Sequence, residues 1–351
     1  MLTRRPHQPS RRAARRLLAV VAALIVLMSA PAVDAARRTT SPTTDLGSLG
    51  GPSGISVAYD INKHGQIVGL TDTADGVRHA FLYENGVMTD LGTLGGHYSV
   101  AMAINDHGQV VGVADLPNGD SHAFLWERGV MTDLGTLGGT FSQANDINNR
   151  GHIVGQAELA DGRTHAFIWK NGTMTDLGTL PGDDADAPNS VAEAINDKDQ
   201  IVGWGDAWNA DFGAFLETHA ILWKSGRLID LDPGQDYSRA YDINKHGQIV
   251  GEALLFDGAL GHSSFYAVRW DRQRVIQRGP ERAVPRAIND KGQIVGQTDE
   301  SKPFLWSDGN MTELAALDGL YGAANAISNH GRIVGETEMG AIPVRATLWK
   351  P

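Results

Sequence analysis

One phrase, two short apolar segments flanking a polar turn, recurs seven times along the 351 residues and constrains the fold more than any other feature. Its first copy runs from Ala58 to Gly69, and the Asn after Ile returns as Asn62, Asn105, Asn148, Asn196, Asn244 and Asn289, with Ser328 in the seventh place. Successive copies are 43, 43, 48, 48, 45 and 39 residues apart. A period in the forties built from short β segments is the pattern of a propeller array, in which each unit buries its faces only against its neighbours.

Each repeat holds four such segments. In the second copy they are Ala103-Ile104-Asn105, Gln109-Val110-Val111-Gly112, His122 to Trp126, and Met131 to Leu134. Asn105-Asp106-His107-Gly108 and Glu84-Asn85-Gly86 place Asn and Gly where tight hairpin turns need them. Those turns are too short to cross between units, so the longer Leu134–Gly139 stretch is expected to do so. That makes the fourth segment outermost and the Ile-Asn segment innermost. The chain stops after the third segment of the last copy, Arg345 to Trp349, while Thr44-Asp45-Leu46 precedes the first Ile-Asn phrase. The expectation is an all-β, seven-bladed β-propeller of four-stranded antiparallel blades over residues 37–351, its ring closed by pairing of the N- and C-terminal segments. A competing register puts the crossing after Gln-Ile-Val-Gly, closes the ring from the inside and keeps the same blade number.

Residues 1–36 read as an export signal and leader: Arg4, Arg5, Arg11, Arg12, Arg15 and Arg16, an apolar run from Leu17 to Ala30, then small residues offering cleavage after Ala32 or Ala35. A single-pass anchor is the competing reading, disfavoured by the short apolar run, and the paired arginines leave a twin-arginine route open. The mature chain is expected to be secreted, extracellular or periplasmic, monomeric, and without a stable membrane anchor. The net charge is −11, and losing the Arg-rich leader makes it more negative, which argues against nucleic acid as a partner. Cysteine is absent, excluding disulfides and thiol chemistry.

His79-Ala80-Phe81, His122-Ala123-Phe124 and His165-Ala166-Phe167, each followed by Asp-Leu-Gly-Thr-Leu-Gly-Gly or a near copy, resemble the HAF-repeat family of predicted extracellular proteins. The likeness spans the mature chain and weakens at Tyr266-Ala267-Val268 and Arg345-Ala346-Thr347. It implies export and a repeat fold, and supplies no catalytic residues.

Repetition acts as a filter, because a group present in every repeat is explained by the repeat. His79, His122, His165 and His219 are too dispersed to share one ion and read as structural hydrogen-bonding groups. Six of the eight Trp end the third segment and read as packing between sheets, leaving Trp204 and Trp208 unexplained. Both fall in the longest connection, Trp204 to Thr218, and the preceding crossing loop is also atypical. The expected ligand-binding residues are therefore Trp204, Trp208, Phe212, Asp206 and Asp211 on a variable loop face, with a protein or carbohydrate ligand. No cofactor is required; Asp183, Asp184 and Asp186 are a candidate Ca²⁺ site, weighed against a plain solvated acidic loop. The reading is a recognition or interaction module, leaning away from an enzyme. Its alternatives are a hydrolase or lyase acting at the channel mouth, with Asp206 or Glu217 and His262 as its acid/base pair, and a structural cell-envelope protein.

Overall fold

The computed structural model describes residues 42–181, 189–209, 214–232, 237–257, 261–271, 274–317, 321–339 and 342–350. Every secondary-structure element among them is a β-strand. The first strands of the repeats are Ser56–Ile61, Ser99–Ile104, Gly138–Ile147, Ser190–Ile195, Ser238–Ile243, Val284–Ile288 and Gly322–Ile327. The second strands are Ile67–Asp72, Val110–Asp115, Ile153–Leu159, Ile201–Asn209, Ile249–Asp257, Ile294–Gln297 and Ile333–Met339. The third are Arg78–Glu84, Ser121–Glu127, Thr164–Lys170, Ala214–Lys224, His262–Asp271, Pro303–Ser307 and Ile342–Trp349. The fourth are Val87–Asp90, Val130–Asp133, Thr173–Asp176, Arg227–Asp230, Arg274–Glu281 and Asn310–Glu313.

Within each repeat the strands pair antiparallel in chain order, as the turn chemistry requires. The second and third repeats join into one eight-stranded sheet through a single parallel bridge, Phe141 to Ser121. The place left beside Ile342–Trp349 is taken by Thr43–Asp45, with Thr43 opposite Trp349 and Asp45 opposite Thr347. Leu46 follows by donating its amide to the Ala346 carbonyl at 2.9 Å.

The recurring letters now have physical reasons. Ser99, at the start of a first strand, donates to the Gly92 carbonyl of the crossing loop (2.6 Å) and accepts the Ala80 amide of the preceding repeat (2.8 Å). Ser142, Ser190 and Ser238 receive the amides of Ala123, Ala166 and Ala220 in the same way. The Ala of His-Ala-Phe is thus clamped against a neighbouring sheet with no exposed surface, and Phe81, Phe124 and Phe167 fill the space between sheets. The His sits on the Asp of the fourth strand: His79 Nδ1 is 2.9 Å from Asp90, His122 Nδ1 2.9 Å from Asp133, and His165 Nδ1 2.8 Å from Asp176. The same Asp accepts the amide of the Gly two residues on, as Asp133 does from Gly135 at 2.7 Å, which turns the chain into the crossing loop. Trp223 and Trp349 end their strands buried between sheets, as expected.

All seven first strands slip register by one residue against the second strand, leaving Tyr59, Met102, Asn145, Glu193, Tyr241, Arg286 and Asn325 as the unpaired residue of a bulge. The bulge brings a first-strand carbonyl against the Gly of Gln-Ile-Val-Gly. A Cβ on Gly69, Gly112, Gly155, Gly203, Gly251, Gly296 or Gly335 would collide with that oxygen, and only Gly fits.

Candidate functional site

At one end of the first strands the chemistry is uniform. Asn62 Oδ1 accepts the amides of His64 and Gln66, while its Nδ2 donates to the Asn105 carbonyl of the next repeat at 3.0 Å. Asn105 donates in turn to Asn148, Asn148 to Asn196, Asn196 to Asn244, Asn244 to Asn289, and Asn289 to Ser328. Turn residues of all seven repeats line one polar cavity of about 350 Å³ at this end. Asp60 lines it too, and Asp146 and Asp242 hold the same place in the third and fifth repeats. Each accepts two backbone amides, one from its own strand and one from the next repeat, as Asp146 does from Ile147 and Ile195 at 2.7 Å each. Burial outweighs these bonds and pushes the three carboxyls up to about 6, 8 and 7; mutual repulsion adds to the rise at Asp146 and Asp242, and Asp106 to that at Asp60.

The bulge residues are different in kind, for no two neighbouring repeats share one. In the fourth and fifth repeats they join a continuous polar and aromatic network. Glu193 Oε1 accepts the Trp204 indole N–H at 2.8 Å. The Arg239 guanidinium lies over the Trp204 ring at 4.3 Å and near the Tyr237 ring at 5.3 Å. Tyr237 and Tyr241 both donate to Glu252 Oε1, at 3.1 and 2.7 Å. Tyr237 also meets Phe265 edge to face, ring centroids 5.2 Å apart. Burial raises the Glu193 carboxyl against the pull of Trp204 and Arg239, and burial beside Glu252 holds both tyrosines protonated well above neutral pH, Tyr237 at about 12. Among the described residues, buried Arg239 Nε has no hydrogen-bond partner. The network supplies donors, acceptors and aromatic faces in one place, the equipment for holding a hydroxyl-rich or amide-rich ligand. Beside it Phe256 and Phe265 leave 67% and 41% of their surfaces exposed.

Of the residues expected from sequence, Trp204, Asp206 and Trp208 are described; Phe212, Asp211, Asp183, Asp184 and Asp186 lie outside the described residues. The expected connection from Trp204 to Thr218 is strand in its described parts. They extend the second and third strands, with Trp204 opposite Ala220, Asp206 opposite Thr218 and Trp208 opposite Phe215. Ladder pairing continues through Gly205 and Asp206. Asp206 fastens the preceding loop, accepting the Asn189 amide and side chain at 3.0 and 2.9 Å. Glu217 pairs with His219 Nε2 at 3.3 Å, and His262 is exposed at the start of the fifth repeat's third strand. Among the described residues no group of three His, Asp or Glu is placed to hold a metal ion. Likewise no helix among them is long and apolar enough to cross a membrane. Glu193, Arg239, Tyr237, Tyr241 and Glu252 were missed. For Glu193 and Tyr241 the signal was present in the bulge column of the repeat, where the residue type changes from copy to copy; Tyr237, Arg239 and Glu252 lie outside that column.

Residues 98–224 match the model of a family described as a protein of unknown function, DUF3466. No curated protein matches the chain. Among solved structures, the β-propeller domain of the Trilobed protease from Pyrococcus furiosus is similar, with a TM-score of 0.56 at 11% identity over 84% of this chain and 93% of that one. YCF48 bound to D1 peptide gives a TM-score of 0.52 at 9% identity over 90% and 98%. A puromycin-hydrolyzing peptidase from Mycobacterium tuberculosis gives 0.51 at 10% identity over 87% and 54%. At such identities the likeness concerns architecture: this is an all-β chain of four-stranded antiparallel sheets with propellers as its structural neighbours.

Proposed function

We propose that residues 37–351 form a closed, seven-bladed propeller of the HAF-repeat kind, exported behind the leader, that acts as a recognition module for a carbohydrate. Closure is supported by the pairing of Thr43–Asp45 with Ile342–Trp349 and by Asn325 of the seventh repeat donating to the Ala58 carbonyl of the first at 2.9 Å. The observation that carries the recognition role is the Glu193–Trp204–Arg239–Tyr237–Glu252 network, in which donors and acceptors alternate with aromatic rings. A saccharide needs such alternation, since its hydroxyls both give and take hydrogen bonds while its C–H faces stack on rings.

Calorimetric titration of the mature protein with neutral oligosaccharides tests this. Binding is expected to be lost in Arg239→Ala and weakened in Tyr237→Phe. Binding that survives both substitutions, or a protein that takes extended peptides on Phe256 and Phe265 but no saccharide, overturns the carbohydrate reading. A Ca²⁺ site at Asp183, Asp184 and Asp186 is a separate proposal, refuted if titrating Ca²⁺ produces no heat.

A further inference from the structure

A second site lies away from that network, in a groove between the third and fourth repeats. Its volume is about 550 Å³, within the range of small-ligand pockets. Lys170, Lys198, Lys224 and Arg227 stand on its walls, and buried Ile168, Ile201 and Trp223 form part of its floor. Two carboxylates line it as well, and both are engaged. Asp199 holds His152 Nδ1 (2.8 Å), Lys170 Nζ (3.0 Å) and Arg150 Nη1 (3.2 Å), and Asp176 holds His165 Nδ1. Lys198 Nζ donates to the Lys245 carbonyl at 2.7 Å. Lys224 and Arg227 are exposed and, among the described residues, have no carboxylate partner.

These two cations face one another as the closing pair of a hairpin, Lys224 directly opposite Arg227 across Ser225-Gly226. Like charges in that position are destabilising. The equivalent pairs elsewhere avoid the conflict: Glu84 with Val87, Glu127 with Val130, Lys170 with Thr173, Ser307 with Asn310, and Asp271 with Arg274, where the charges are opposite. One hairpin in an acidic chain thus carries an uncompensated pair of cations at the lip of an apolar-floored groove. We infer that this groove binds a small soluble anionic amphiphile, its oxyanion head between Lys224 and Arg227 and its apolar body on Ile168, Ile201 and Trp223.

The mature protein is titrated with octyl phosphate below its micelle concentration, with inorganic phosphate, and with octyl glucoside. Octyl phosphate is expected to bind, inorganic phosphate more weakly, and octyl glucoside not at all. Lys224→Glu puts the residue of the first two repeats into this position and creates an opposite-charge pair with Arg227. It is expected to weaken octyl phosphate roughly tenfold or more while raising Tm by roughly 1–3 °C. A purely structural role for Lys224 predicts that binding and stability move together. Failure of octyl phosphate to bind, equal affinity for octyl glucoside, or undiminished binding by Lys224→Glu overturns the inference. Arg239→Ala leaves this titration unchanged, which separates it from the saccharide site.

Discussion

The turn end of the first strands and the bulge within them present opposite solutions to the same geometric demand. At the turn end six of the seven repeats pass a hydrogen bond to the next through the same Asn, and the chemistry is repeated because the packing problem is repeated. At the bulge the backbone is again identical in all seven copies, yet the side chain it releases is Tyr, Met, Asn, Glu, Tyr, Arg and Asn in turn. Fixed backbone with a changing side chain is what a binding surface needs from a scaffold. The comparison teaches that in a repeat protein function is sought in the columns that vary while their backbone does not.

The bulge backbone is the first place to break that contrast. Gly112→Ala drives a Cβ into the Val100 carbonyl, which the ladder holds in place. A loss of about 3 kcal/mol is expected, at the upper end of overpacking penalties, read by chemical denaturation. A loss below about 0.5 kcal/mol would mean that the bulge is soft and its side chains are not preorganised.

Next comes the ladder. Asn148→Ala removes the donor to Asn196 and the acceptor for the Arg150 and His152 amides, leaving buried groups unpaired, for about 2 kcal/mol. Asn148→Ser, the residue found at Ser328, is expected to recover part of this, because Ser328 Oγ still accepts the Arg332 amide at 3.1 Å. Equal losses in both variants would show that the bond to the neighbouring repeat dominates.

How far this contrast could be read from sequence follows from the reach of each interaction. Strand order, an outer place for the segment around Thr44-Asp45-Leu46 (the strand is Thr43–Asp45) and the structural role of the His were legible, since turns, strand counts and repetition are local facts. The Asn ladder was half legible: its turn bonds are local, while its bond to a carbonyl some forty residues on is created only by packing. Arg239 and Glu193 were hidden because they sit inside strands, where polar residues among apolar ones read as the solvent face. Trp204 was singled out because the repeat does not explain it and was assigned the wrong structure, because Gly and Asp in a β-hairpin extension have the composition of a loop.

The aspartates at the turn end sharpen the comparison through pH. Asp60, Asp146 and Asp242 occupy a column filled by Ala103, Ala194, Ala287 and Ala326 in the other repeats, so the fold accepts Ala there. Their carboxyls are raised above the unfolded value near 3.8, to about 6, 8 and 7. The folded state therefore binds more protons than the unfolded state between pH 4 and 8, and stability falls as pH rises through that window. Tm is expected to be higher at pH 5 than at pH 8.5, with the slope reduced in the Asp60→Ala, Asp146→Ala, Asp242→Ala triple variant. A triple variant with an unchanged slope would place the titration elsewhere.

The smallest effect is expected where the turn end itself departs from uniformity. Gly65, Gly108, Gly151, Gly247, Gly292 and Gly331 hold the left-handed position of the turn, and the fourth repeat places Asp199 there at φ 56°. Asp tolerates this conformation better than most residues, but Asp199→Gly would still relieve about 1 kcal/mol of backbone strain. Against that stand its contacts with His152, Lys170 and Arg150, partly exposed and individually weak. Against the desolvation that would raise it, His152 and Lys170 hold its carboxyl below the usual range, so these two contacts favour the charged form. The two sides nearly cancel, and a net change within about 1 kcal/mol is expected, turning more favourable to Gly as salt screens the ion pairs. A loss well beyond that would make Asp199 a keystone between the third and fourth repeats, and the turn end would then owe its strength to an exception as well as to its rule.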